Sequence, residues 1–123
     1  MLELHLQEHI RFDDARPMVH ALVDSGHCRL LLVCLKAGQA LKDHRSASQV
    51  IAQCLQGEGL FYGDGVPMEI KQGSVVVLEP GHFHRMEGRT DCVILVTLSP
   101  HPAREGYPRD QIDRLIPRFR DRS

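Results

Sequence analysis

The chain has 123 residues and a mass of 13.9 kDa, the size of one small domain. It is 42% hydrophobic and 25% charged, a balance that points away from a disordered chain. Its 15 Lys+Arg against 16 Asp+Glu leave a net charge of -1, which gives no electrostatic case for nucleic acid or an anionic membrane as partner.

Strand signals dominate the chain. Leu2, Leu4 and Leu6 alternate with Glu3, His5 and Gln7 and predict a half-buried edge strand inside an N-terminal strand region, 1–23. The acid at position three speaks against a secretory leader, so a cytoplasmic protein is expected. Met18 to Val23 and Arg29 to Lys36 are the next two runs, parted by the turn cluster Asp24-Ser25-Gly26. The second run is apolar at both parities and must be covered on both faces, within a sandwich or at a subunit contact. Its apolar core, Leu30 to Leu35, is far too short to cross a bilayer.

Val50 to Gln56 follows, and if regular it sends Val50, Ala52 and Cys54 inward and Gln53 outward. Leu60 to Tyr62 and Val66 to Ile70 form a hairpin across Gly63-Asp64-Gly65, where Asp-Gly supplies the positive φ of a tight turn. Ser74 to Leu78 and Asp91 to Ser99, rich in Val and Ile, complete a core region of about 28–99. In the tail, 100–123, Pro108 fits a first helical turn, and Ile112, Leu115, Ile116 and Phe119 mark one helical face. Short strands at regular spacing in one domain, 1–123, predict a β-sandwich or barrel with a short C-terminal helix.

Four cysteines (Cys28, Cys34, Cys54, Cys92) show no CxxC spacing, and three sit in apolar runs, so they read as small buried hydrophobes. Eight histidines are more than packing needs. His5, His9, His20, His27 and His101 read as surface or turn residues, which leaves His44, His82 and His84.

Those three lie in two blocks. The first runs from Gly38 through His44 to Gly57, and the second from Gly73 through Gly81 to His84, with Glu58 to Gln72 between them. The pair resembles the two motifs of the cupin superfamily, G-x5-H-x-H-x3,4-E-x6-G and G-x5-P-x-G-x2-H-x3-N. Gly38, His44, Gly57, Gly73, Gly81 and His84 fall on motif positions. The resemblance covers about half the chain and implies a small single-domain bacterial cupin, an RmlC-like double-stranded β-helix or jelly-roll barrel that forms a homodimer.

The departures fall on the metal ligands. Metal-holding cupins present three His and one Glu, but here the second histidine position is Ser46 and the glutamate position is Val50. Glu79 replaces the motif proline and Gly88 its asparagine. His44 and His84 remain, with His82 as an additional candidate whose direction is set by the Pro80-Gly81 turn. A stable mononuclear site normally draws on three or four protein ligands. A divalent transition metal (Fe, Mn, Ni or Zn) is therefore expected only in a weak or incomplete site.

The expected function is small-molecule binding in the barrel, with His44, Ser46 and His84 orienting the ligand and Val50 and Cys54 lining the apolar wall. The alternative implied by the resemblance is a metal-dependent dioxygenase or isomerase acting on a small organic acid or phenol. A metal-independent sugar epimerase would need an acid opposite a His base, and neither Tyr62 nor Tyr107 has an assigned direction.

Overall fold

A computed structural model describes residues 1–100. The helix expected from Pro108 onward lies outside the described residues. Among the described residues nine strands follow one another: β1 (Met18–Asp24), β2 (Arg29–Leu35), β3 (Ala40–Arg45), β4 (Gln49–Gln56), β5 (Glu58–Gly63), β6 (Val66–Lys71), β7 (Val75–Leu78), β8 (Phe83–Gly88) and β9 (Cys92–Ser99). They form a five-stranded sheet in the order β1-β2-β9-β4-β7 and a four-stranded sheet in the order β3-β8-β5-β6. All pairings are antiparallel. Among the described residues no helix is long and apolar enough to cross a membrane.

The two-residue period decides which side chains enter the core. In β4, Val50, Ala52 and Cys54 are buried in the core between the sheets, while Gln53 lies on the opposite face, as alternation predicts. Strand β2 is apolar at both parities because both of its faces are covered. Leu31, Val33 and Leu35 join Phe61, Met86, Ile94, Val96 and Leu98 in the main core. Leu32 and Cys34, with Val93, form a second cluster under Ile10, Phe12, Met18 and Leu22. The outer face that the sequence offered as a subunit contact is thus packed, at least in part, by this chain's own N-terminal segment.

That segment corrects the expected first strand. Leu2 is exposed, Leu6–His9 form a single 3-10 turn, and no strand precedes β1 among the described residues. Alternation makes a strand only where a sheet edge receives it, because strand preference reflects packing more than an intrinsic backbone preference. Ile10 and Phe12 dock through an irregular backbone that has no period to read.

Tight connections hold the sheets in register. The β5–β6 hairpin turns through Asp64 (φ 49°) and Gly65 (φ 81°), the positive φ angles expected of Asp-Gly. Pro67 sits on β6, an edge strand where its missing N–H costs no ladder bond. Gly57 (φ 80°) brings the β4–β5 bend against β9, and a Cβ there would stand 2.1 Å from the Asp91 carbonyl oxygen.

Candidate functional site

Strands β3 and β8 bring the two motif histidines together. Neither stretch was read as a strand from sequence, since polar residues and a bulge between Leu41 and His44 break the period. In the ladder His44 pairs directly with His84, and cross-strand partners share a face. Their ring centroids stand 4.0 Å apart at 66°. His44 is 5% exposed and His84 1% exposed.

The rings are held differently. His44 Nδ1 lies 2.7 Å from the Lys42 carbonyl oxygen, which can only accept, so Nδ1 carries the proton and donates. His84 stacks on Phe61, with centroids 5.9 Å apart at 8°. Among the described residues neither ring nitrogen of His84 has a hydrogen-bond partner. Burial first, and the neighbouring His44 second, push the His84 imidazole from its ordinary 6.5 down to about 3. The His82 backbone pulls weakly the other way, without forming a hydrogen bond of normal geometry to either nitrogen. At neutral pH His84 is therefore an uncharged ring offering one N–H and one lone pair.

The remaining sequence candidates divide by level along the barrel. Val50 lies opposite Leu78 and Leu98. Gly63 pairs with His84, and a Cβ on Gly63 would lie 3.2 Å from Leu78 Cδ2, so Val50 and the histidine pair occupy one end of the barrel. Ser46, buried just past β3, accepts a hydrogen bond from the Ser48 N–H at 3.0 Å, and its carbonyl receives the Gly81 N–H.

Cys54 faces inward but belongs to the other end. It is four residues beyond Val50, about 13 Å along a strand. Its thiol lies 3.5 Å from the Gln56 carbonyl and 3.6 Å from that of Gly57. Burial raises the Cys54 thiol, and burial with neighbouring Cys54 pushes that of Cys92 up to about 12, so both are inert apolar filling.

His82 does not stand with the pair. Its Nδ1 contacts Asp64 Oδ2 on the exposed rim, and Asp64 Oδ1 accepts the Phe83 N–H at 3.0 Å. The hydrogen bond from His82 holds the Asp64 carboxyl below its ordinary value. Sequence reasoning saw Asp64 only as a turn residue and did not single out Phe61, although strand parity in the hairpin would have placed Phe61 inward.

The donor set does not fit a tightly held resident metal. Two imidazoles are adjacent, Val50 supplies no ligand, and the Ser46 hydroxyl is engaged with Ser48. Among the described residues no group of three or more His, Cys, Asp or Glu could hold an ion.

Two facing antiparallel sheets with this strand order define a double-stranded β-helix. The chain belongs to the cupin family: a family model described as "Cupin domain" matches residues 31–98. It is similar to an RmlC-like cupin protein from Desulfovibrio desulfuricans, with 32% identity, 81% of this chain and 97% of that one covered, and a TM-score of 0.76. A protein with a double-stranded β-helix domain from Klebsiella pneumoniae shares the fold at 18% identity, covering 82% of this chain and 91% of that chain, with a TM-score of 0.75. An RmlC-like cupin family protein from Methanocaldococcus jannaschii shares it at 23% identity, 76% and 88% coverage, and a TM-score of 0.66. No curated protein matches the chain. It is a small cupin-type protein.

Proposed function

We propose that this cupin binds a small molecule at the His44–His84 end of its barrel. The observation that carries the reading is His84, fully buried with both ring nitrogens unmet among the described residues. An unmet buried polar group costs about 1–3 kcal/mol, and such groups ordinarily find a partner in protein, water or ligand. A ligand that hydrogen-bonds His84 offsets that cost and is thereby held in place. His44, oriented by the Lys42 carbonyl, flanks the ligand, and Val50, Leu78 and Leu98 supply the apolar wall. The metal-dependent dioxygenase or isomerase is the weaker reading, because the donors stop at two imidazoles.

The test is a ligand screen by thermal shift, followed by NMR of the histidine side-chain nitrogens. Ligands that raise Tm are expected to move the His84 ring resonances and to lose their effect in His84→Leu. Stabilising ligands that leave those resonances in place would overturn the reading.

We also propose that the protein acts as a homodimer. Val75 and Val77 are exposed on β7, an edge strand, beside Ile51 on β4. An apolar strip on an exposed sheet edge suits pairing with a second copy.

A further inference from the structure

Two residues on the inner face of the barrel are exposed to water. In the β5–β6 hairpin Gly59 lies opposite Ile70, Phe61 opposite Met68, and Gly63 opposite Val66. Phe61 and Ile70 belong to the buried core, so the register puts Met68 and Val66 on the inner face as well. Yet Val66 is 65% exposed and Met68 55% exposed, whereas Ile70 further along the strand is only 4% exposed. Strand β6 is the edge of its sheet, so the barrel stays open along this side near the Asp64-Gly65 turn.

The opening is at the histidine end. Gly63 is in register with Val66 on one side and His84 on the other. It carries no side chain, so the inner surface between Val66 and His84 is bare backbone. Among the described residues a Cβ added there would meet Leu78 Cδ2, at 3.2 Å, and nothing else within 4 Å.

Exposed apolar side chains alone are ordinary on a protein surface. These two face inward, and the bare backbone beside them leads to a buried imidazole with two unmet nitrogens. We infer that Val66 and Met68 form an apolar lip and Gly63 a passage by which an amphipathic small molecule reaches His84, its apolar body on Val66, Met68 and Leu78 and a hydroxyl group at the imidazole. A hydroxyl both donates and accepts, which matches the one N–H and one lone pair of a neutral ring. The inference rests on the reading of His84 as a ligand-binding residue and adds to it the class of ligand.

The test titrates 1-butanol, 1-hexanol and 1-octanol into the full chain, following the His84 ring by NMR and affinity by calorimetry. Each added methylene is expected to tighten binding roughly fourfold, the burial of one CH₂. A variant with both Val66→Ser and Met68→Ser, at exposed positions, should cut that gain below twofold. Gly63→Val should exclude 1-octanol.

If the His84 ring responds but chain length and the lip substitutions do not matter, the lip is overturned and the binding role of His84 stands. If 1-octanol binding needs the lip yet is unaffected by His84→Leu, the proposed function itself falls. A dimer that dissociates on serine substitution of the lip, with no alkanol gain in the parent, would assign the lip to a second copy and overturn the inference.

Discussion

His44 and His84 are direct cross-strand neighbours, yet only His44 has its ring tied to a backbone carbonyl, that of Lys42. His84 packs against Phe61 with both nitrogens unmet. One ring is oriented by the protein and the other waits for a partner, and this asymmetry sets the first two expectations.

The first concerns pH. The unfolded chain protonates His84 below about pH 6.5, whereas the folded chain resists until about pH 3 because burial and His44 disfavour the charged ring. Stability from this group is fully present above the unfolded value and drains away as pH falls toward the folded one. Near pH 5 the loss is about 2 kcal/mol. Urea unfolding at neutral pH and near pH 5 should show His84→Leu losing less stability than the parent by that amount. Equal losses in both proteins would show that His84 does not carry the dependence.

The second separates stability from binding. His84→Leu replaces an unsatisfied ring with an apolar side chain in an apolar core, so Tm should stay within a few degrees of the parent or rise. His84→Ala leaves a cavity and should cost about 2–4 kcal/mol. Both should lose ligand binding. A leucine variant as damaged as the alanine one would mean that the ring nitrogens are satisfied in solution.

Much of the barrel was legible in the sequence because its strands obey one period. Val50, Ala52 and Cys54 alternate with residues of the opposite face, and Asp64-Gly65 announces its turn. Strand β8 was missed although its inward residues, His84, Met86 and Gly88, also alternate, because a histidine and a glycine do not look like core. The false N-terminal strand had the opposite fault, since Leu2, Leu4 and Leu6 alternate but no described strand pairs with them. The histidine pair was legible as a motif, but the level of Cys54 and the turn of His82 toward Asp64 were not. Both depend on register between strands distant in sequence.

Glycine positions give a third, sharper test of the fold. Gly57→Ala places a Cβ 2.1 Å from the Asp91 carbonyl oxygen at φ 80°, against backbone that cannot swing aside. Gly65→Ala has a similar φ of 81° with nothing within 4 Å, so it meets only the left-handed strain of about 1 kcal/mol. Thermal unfolding should rank Gly57→Ala as the far more damaging of the two, by more than about 2 kcal/mol. Similar Tm values would contradict the close approach of the β4–β5 bend to β9.

The fourth addresses association. Val77→Lys puts a charge in the exposed apolar strip of β7 without touching the core, since Val76 is the inward residue there. Sedimentation is expected to show a dimer for the parent and a monomer for the variant, at nearly unchanged Tm. A monomeric parent at micromolar concentration would remove the homodimer from the proposal.

The last expectation asks what the missing ligands cost the site. Val50 is buried on the inner face at the level of the histidine pair, and Ser46 lies just beyond β3, where the family motif places its second histidine. Ser46→His with Val50→Glu would bring the donors at this end to three imidazoles and one carboxylate, enough for a mononuclear site. Without metal the buried glutamate should destabilise the variant by several kcal/mol. Added Mn(II) or Ni(II) should restore its Tm and stay bound near one equivalent through dialysis, because metal that binds only the folded state stabilises it by mass action. The parent, with two imidazoles, should show neither effect. Stoichiometric retention by the parent would place further donors at the pair and put the metal-dependent enzyme ahead of simple small-molecule binding.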